Sequence, residues 1–167
     1  MDTLANSRLS EKSIRELKRL KGLYPFRKST VLMVLHVIYD QFGYINSDAV
    51  TEAAGIMAIP VIDFEQAASF YTMFPGKKVG RYHIQVCRTL SCELRGSEEL
   101  VKFLNEKLRI GMGDTSDDGL FSLTEVECLG SCGTAPVMQI NDKYYENLNR
   151  VKVEKILDDL RKRAKDD

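Results

Sequence analysis

Hydrophobic residues recur at helical spacing through the first half of the chain. Ile14, Leu17 and Leu20 fall on one stripe behind a potential N-cap at Ser10, which predicts a first helix. The second predicted helix is Val31–Phe42, with Thr30 as its cap and Gly43 at its end. The third runs from a Ser47 cap to about Met57. The fourth starts at Pro60 and carries four apolar or aromatic residues on one side: Val61, Phe64, Ala68 and Tyr71. Because apolar residues occupy nearly every position of the second helix, we expect it to form the buried centre of a bundle.

The period changes after the turn at 75–78, which is the predicted domain boundary. Apolar and polar residues alternate from 79 to 87, with Tyr82, Ile84 and Val86 on one face, and this predicts a strand. The elements predicted after it are a helix capped by Ser97, a polar loop at 111–119, a strand at 121–127, a hairpin of 136–140 and 143–145, and a last helix capped by Asn149. The order β-α-β-β-β-α predicts a small α+β unit at 79–167, preceded by a helical unit at 1–78.

Composition and charge are those of a globular protein. Hydrophobic residues make up 44% and charged residues 29% of the 167 residues. Basic and acidic side chains are equal at 24 each, which argues against a basic surface for nucleic acid. The longest apolar run, 31–39, is far shorter than the roughly 20 residues that a bilayer requires, and residues 1–12 contain no apolar signal core. We therefore expect a cytoplasmic protein with no nucleic-acid partner and no membrane insertion of its own.

All four cysteines lie in the second half, in two close pairs where predicted strands run into loops. The pairs are Cys87 with Cys92 and Cys128 with Cys132. Two strand ends at one edge of a sheet can bring the four sulfurs together. Four thiolates are the ligands of a structural zinc ion and also of an iron–sulfur cluster, and the spacing alone leaves both open. Disulfides fit less well, because the chain shows no secretory signal.

The residues around the second pair favour a cluster over zinc. Gly130 and Gly133 let backbone N–H groups approach the sulfurs closely, and such donors stabilise the negative charge of a reduced cluster. Nearby acids lower the reduction potential. Five acidic residues precede the second pair, so we expect a low potential, which Arg88 and Arg95 would oppose if they lie near the cluster. The acids are Asp114, Asp117, Asp118, Glu125 and Glu127.

Motifs around both pairs are distinctive. The first is CRTLSCELRG at 87–96; the second is ECLGSC at 127–132, followed by AP at 135–136, QIND at 139–142 and YY at 144–145. Upstream, FGYI at 42–45 and SFYTMF at 69–74 belong to the helical half. Together these motifs resemble the 24-kDa (E-type) family of NADH:quinone oxidoreductase subunits, from respiratory complex I, over nearly the whole chain.

The resemblance implies an N-terminal helical bundle at 1–78, followed by a thioredoxin-like [2Fe–2S] ferredoxin domain at 79–167. It implies that Cys87, Cys92, Cys128 and Cys132 bind the cluster, with the first pair on one iron and the second pair on the other. The implied partners are a flavoprotein subunit that binds NADH and FMN and a larger iron–sulfur subunit, in the cytoplasmic-side peripheral arm of a membrane-bound complex. The chain would then transfer electrons as part of an oxidoreductase, and no catalytic residue is expected in it.

Other functions stay open from the sequence. The same subunit type serves NAD(P)-linked hydrogenases and formate dehydrogenases, and the motifs do not separate these from complex I. A structural zinc module with a helical interaction domain would instead give a colourless protein. The chain contains neither a dinucleotide-binding GxGxxG pattern nor a phosphate-binding loop, so we expect NADH and FMN to be bound by the partner subunit.

Four further features carry structural expectations. His36 is expected to be a satisfied histidine of the bundle, and His83 an exposed or structural residue on a strand face. Ala135-Pro136 is hypothesised to be a cis peptide, as in many thioredoxin-like folds. An aromatic cluster is expected to pack in a core between the two halves, or else to face a partner. Its members are Phe70, Tyr71, Met73 and Phe74.

Overall fold

The computed structural model describes residues 8–166. We expect no signal core in residues 1–12, and residues 1–7 of that segment lie outside the described residues. The chain divides between Lys78 and Val79 into two compact units.

All four predicted helices of the first unit are present. They are α1 (Glu11–Leu23), α2 (Val31–Phe42), α3 (Ser47–Met57) and α4 (Val61–Phe70). The Ser10 side chain accepts a hydrogen bond from the Ser13 N–H at 3.2 Å, as predicted for an N-cap. Gly43 ends α2 with a φ of 73°, a left-handed conformation that glycine adopts at little cost.

The residues predicted to cap or begin three of these helices differ in detail from those observed. Asn46, not Ser47, caps α3 by accepting from the Ala49 N–H at 3.0 Å. Thr30 ends a short 3₁₀ turn, Arg27–Thr30, and its hydroxyl donates to the Arg27 carbonyl at 2.6 Å instead of capping α2. Pro60 lies one position before α4, so it precedes the first turn that it was expected to start. Asparagine and serine cap equally well, so local preference does not distinguish Asn46 from Ser47.

The core of the first unit draws on all four helices. Its fully buried members include Leu17, Val34, Leu35, Ile38, Ala53, Met57 and Phe64. However, Leu32 and Met33 of α2 are more than a third exposed, so α2 is only partly the buried centre that its apolar sequence predicts.

The aromatic residues near the end of this unit do not form the expected core cluster. Phe74 is buried, whereas Phe70 is 77% and Met73 is 51% exposed. His36 of α2 is exposed and lies edge-on against the Phe74 ring, with the ring centroids 4.9 Å apart.

The second unit is a four-stranded sheet with three helices. Its elements are β1 (Tyr82–Cys87), α5 (Leu90–Leu94), α6 (Ser97–Leu108), β2 (Phe121–Val126), β3 (Met138–Ile140), β4 (Lys143–Tyr145) and α7 (Arg150–Asp166). The strand order is β2-β1-β3-β4, with β1 parallel to β2 and the other two pairs antiparallel. The chain is therefore α+β, as predicted. Among these elements α5 was not predicted, and the cap of α6 is Gly96 rather than Ser97.

The central strand β1 is buried on both faces. Ile84 and Val86 join residues of β2, β3, α6 and α7 in one core, including Leu123, Met138, Leu104 and Leu157. On the other face His83 and Gln85 are buried as well. His83 hydrogen-bonds Thr124 Oγ1 at 2.5 Å, and burial lowers the pKa of its imidazole. The prediction that His83 is structural is confirmed, and the alternative of an exposed side chain is wrong.

The Ala135-Pro136 peptide bond is cis, which confirms the hypothesis from the sequence. None of the helices within residues 8–166 has the length and apolar character needed to cross a membrane.

Gly80 lies against the backbone of residues 119–121, where there is no room for a side chain. A Cβ at Gly80 would lie 2.9 Å from the Phe121 carbonyl carbon and 3.0 Å from Gly119 O, and neither backbone atom can move without disturbing β2. Gly80→Ala should therefore lower the free energy of unfolding by about 1–3 kcal/mol, measured by denaturant unfolding.

Gly133→Ala is the matched control in the same unit. A methyl group there meets nothing within 4 Å, and Gly133 has no positive φ. Equal stability of the Gly80→Ala and Gly133→Ala variants would show that the close approach at Gly80 is not a real constraint.

Candidate metal centre

The sheet brings the two cysteine pairs to the same edge. β1 ends at Cys87, which is in register with Val126, the last residue of the parallel strand β2. Cys128 follows two residues after Val126. Because parallel neighbours end at the same edge, both cysteine loops leave the sheet side by side, as expected from the sequence.

The first pair is buried. Cys87 and Cys92 are each 2% exposed and pack with Ala135, Val137 and Leu129 in a small apolar cluster. The tight turn after β1, with the Cys92 N–H bonded to the Thr89 carbonyl at 2.9 Å, carries the chain into α5. Each thiol shifts the pKa of the other: Cys87 raises the pKa of Cys92, and Cys92 lowers that of Cys87.

The second pair lies in an exposed loop. The Sγ atoms of Cys128 and Cys132 are 3.9 Å apart, and the Gly130 N–H donates to Cys128 Sγ at 3.3 Å. Gly130 has a φ of 77°, a conformation that favours glycine, so this residue aims its amide at the sulfur without strain. Cys132 begins a single 3₁₀ turn that ends at Thr134.

The two pairs influence each other. The pKa of the Cys87 thiol is raised by burial, but hydrogen bonds from the Thr89 hydroxyl and the Leu129 and Thr89 backbone outweigh burial and lower it overall. Burial, together with the nearby Cys87 and Cys132 sulfurs, raises the pKa of Cys92 to about 11. Leu129, which follows Cys128, packs against the buried pair and its backbone lowers the pKa of Cys87, so the second loop adjoins the first pair.

The donor set fits a two-iron cluster. Each iron of a [2Fe–2S] cluster takes two thiolates, and the sulfurs occur here as two pairs with backbone N–H and hydroxyl groups directed at them. Across residues 8–166, no three or more histidine, cysteine or acidic side chains lie close enough together to hold a metal ion, and the thiols stand as two pairs. Cys87, Cys92, Cys128 and Cys132 are the residues that could hold the cluster.

The charges around the site differ from the expectation. Arg88 and Glu127, which adjoin Cys87 and Cys128, form an ion pair across the two strand ends. Glu125 lies at this end of β2, whereas Asp117 and Asp118 lie in the turn before β2, at its opposite end. Asp114 lies beside the middle of β2, where its carbonyl accepts from the Leu123 N–H at 3.2 Å. A six-residue strand spans about 20 Å, well beyond the Debye length at physiological salt. Asp117 and Asp118 therefore have no close electrostatic influence on the sulfurs.

Several residues that surround the second loop were not predicted from the sequence. The Glu146 carboxylate accepts hydrogen bonds from Ser131 and Thr134, and the Tyr144 hydroxyl donates to the Leu129 carbonyl at 3.1 Å. Nothing in their own motif assigns these roles, because the pairing of β3 with β4 decides which residues return to the loop.

Residues 17–161 match the sequence profile of the thioredoxin-like [2Fe–2S] ferredoxins. With two cysteine pairs at one edge of an α+β sheet, the chain belongs to the thioredoxin-like [2Fe–2S] ferredoxin family. It is 40% identical over 160 residues to the E-type subunit of the NADH-quinone oxidoreductase of Rickettsia conorii, covering 94% of this chain and 96% of that one. It is 42% identical over 136 residues to subunit 2 of the Thermus thermophilus oxidoreductase, covering 81% of this chain and 75% of that one. The resemblance to the E-type family is thus confirmed.

A solved structure supports the fold alone. The air-oxidised NAD⁺-reducing [NiFe]-hydrogenase matches with a TM-score of 0.68 at 20% identity, over 80% of this chain. This chain spans only 23% of that hydrogenase chain.

The contact between Thr89 and Cys87 generates a prediction for the cluster-free protein. Thr89 Oγ1 lies 3.3 Å from Cys87 Sγ, and a hydroxyl that donates to a thiolate lowers the thiol pKa. Thr89→Val should raise the pKa of Cys87, so its alkylation at neutral pH should slow and its pH profile should shift upwards. Alkylation of each cysteine can be followed by mass spectrometry.

Thr89→Ser is the matched control, because it keeps the hydroxyl. An unchanged pH profile for Cys87 in Thr89→Val would mean that the hydroxyl does not stabilise the thiolate.

Proposed function

We propose that Cys87, Cys92, Cys128 and Cys132 hold one [2Fe–2S] cluster and that the chain is an electron-transfer subunit of an NADH:quinone oxidoreductase. The observation that carries the proposal is the register of β1 and β2, which brings the loops of both thiol pairs to the same end of the sheet. The E-type relatives at about 40% identity, whose names assign them to this oxidoreductase, support the choice of complex.

The chain's own residues supply a site with one rigid side and one accessible side. When bound, a [2Fe–2S] cluster accepts and releases one electron at a time. The buried pair, Cys87 and Cys92, fixes the site against the sheet, whereas the exposed pair, Cys128 and Cys132, brings it to the surface where an electron can enter or leave. The Gly130 N–H and the Thr89 hydroxyl stabilise negative charge on the ligand sulfurs. No step assigned to this chain needs an acid or a base.

The proposed electron donor is FMN, held with NADH by a partner flavoprotein subunit, and a larger iron–sulfur subunit is the second proposed partner. Leu90 and Leu94 of α5 support a docking surface beside the site, because they are 73% and 77% exposed on the helix that carries Cys92. In this assembly the chain belongs to the peripheral arm on the cytoplasmic side of the membrane.

A diaphorase subunit of an NAD(P)-linked hydrogenase or formate dehydrogenase would perform the same electron transfer. The hydrogenase comparison concerns the fold only, whereas the sequence relatives favour the quinone-reducing complex. Neighbouring genes would distinguish the two: membrane subunits for quinone reduction in one case, hydrogenase or formate dehydrogenase subunits in the other.

Removing a ligand tests the cluster assignment. Anaerobically purified protein should be brown, contain equal iron and sulfide, and give a rhombic S = 1/2 EPR signal on reduction. Cys87→Ser and Cys128→Ser should each lose or destabilise the cluster, because each removes one of two thiolates from an iron. The measurements are the visible and EPR spectra, with iron, sulfide and zinc analysis.

Ser91→Ala is the matched control, since it changes a residue between Cys87 and Cys92 and keeps all four thiols. A full native spectrum in either serine variant would contradict the ligand assignment. A colourless wild-type protein that retains one zinc after attempted reconstitution would contradict the electron-transfer function.

The purified chain alone should not oxidise NADH, because the proposal assigns nucleotide and flavin binding to the partner. The measurement is the NADH-dependent reduction of an artificial electron acceptor by flavin-free protein. Robust activity would place a nucleotide site in this chain and contradict the division of roles.

A further inference from the structure

The exposed cysteine loop is anchored by the segment that follows β4. The Tyr144 hydroxyl donates to the Leu129 carbonyl at 3.1 Å, and the Asn147 N–H donates to the Thr134 carbonyl at 2.7 Å. Between these two contacts lies Glu146. Residues 144–147 therefore follow the loop on both sides of Cys132.

Glu146 makes the charged contact of this anchor. Its Oε1 atom accepts from Thr134 Oγ1 at 2.7 Å and also from Ser131 Oγ, the hydroxyls on either side of Cys132 and Gly133. The same two hydroxyl oxygens are 2.7 Å apart. The Glu146 carboxylate oxygen and the hydroxyl oxygens of Ser131 and Thr134 therefore form one compact group of three polar atoms. These hydrogen bonds lower the pKa of Glu146, which keeps the carboxylate ionised at neutral pH.

The first cysteine pair needs no such anchor, because burial among Ala135, Val137 and Leu129 already restricts it. Cys128 and Cys132 are exposed, and the backbone of an exposed loop keeps conformational freedom that metal binding must remove. Hydrogen bonds to an ionised acceptor are stronger than neutral ones and hold their donors in a defined direction.

We propose that Glu146 is a positioning residue that clamps Ser131 and Thr134 and so holds Cys132 in its cluster-binding orientation. This inference rests on the proposed function, in which Cys132 is a cluster ligand. Glu146 acts through the loop and touches none of the four sulfurs.

The test uses two substitutions of the same residue. Glu146→Gln removes the charge and keeps one carbonyl oxygen as an acceptor, whereas Glu146→Ala removes both. Loss of the cluster to an iron chelator should be about tenfold faster in Glu146→Ala, at the low end of the usual effect of outer ligand partners, because this carboxylate is exposed. Glu146→Gln should restore part of the wild-type lifetime. The EPR signal of Glu146→Ala should broaden as Cys132 samples more than one orientation.

Glu125→Gln is the charge-matched control, because it removes one exposed carboxylate at the end of β2. It should leave both the lifetime and the EPR line shape unchanged. Ser131→Ala removes one of the two hydroxyl donors and should give an intermediate lifetime. Wild-type lifetime and line shape in Glu146→Ala would overturn the proposal, as would an equal effect of Glu125→Gln.

Amide hydrogen exchange in the cluster-free protein separates the two proposals. Exchange at Asn147 should speed up in Glu146→Ala, since the Asn147–Thr134 hydrogen bond depends on the clamped loop. Unchanged amide exchange at Asn147 in Glu146→Ala would overturn the proposal that Glu146 holds the loop, even if the wild-type protein binds the cluster. A wild-type protein that cannot be loaded with iron and sulfide would overturn both the proposed function and the role of Glu146 in cluster binding.

Discussion

The cysteine centre depends on the parallel pairing of β1 with β2. Cys87 and Cys128 are far apart in the sequence, and only the register that sets Cys87 opposite Val126 makes their loops neighbours. Parallel pairing requires a long crossover, which α5, α6 and the loop before β2 provide. The antiparallel strand β3 then returns beside β1, and the Cys87 N–H bonds to the Val137 carbonyl at 3.1 Å, which closes the pocket around the buried sulfurs.

The alternating apolar residues of β1 and the stripes of the long helices are enough to predict those elements, because burial of one face produces a periodic pattern. The same logic fails for α5, whose five residues are too few to show a helical period. It also fails for His83 and Gln85, which are polar by sequence and yet buried on the second face of a central strand. Asn46 and Ser47 differ little in capping preference, so only the folded backbone selects between them.

The candidate ligands were predictable because cysteine pairs beside strand ends carry a strong chemical signal. The residues that hold the ligands were not. Glu146 and Tyr144 reach the second loop through a hairpin whose register no local motif encodes, and their side chains are common on any surface. The acids show the opposite error: closeness in sequence suggested an electrostatic influence, but Asp117 and Asp118 lie a strand's length from the sulfurs.

The contrast between the two cysteine pairs explains how one small sheet can satisfy two opposing needs. A redox centre needs ligands that move little when its charge changes, and it also needs a short path to its partner. Burial fixes Cys87 and Cys92, but burying all four thiolates would surround the centre with protein and raise the cost of its negative charge. Leaving Cys128 and Cys132 in an exposed loop keeps the path short, and it makes order in that loop depend on hydrogen bonds rather than packing. The Gly130 amide, the Arg88–Glu127 ion pair and the Glu146 carboxylate are thus the local groups that substitute for a hydrophobic core on this side of the site.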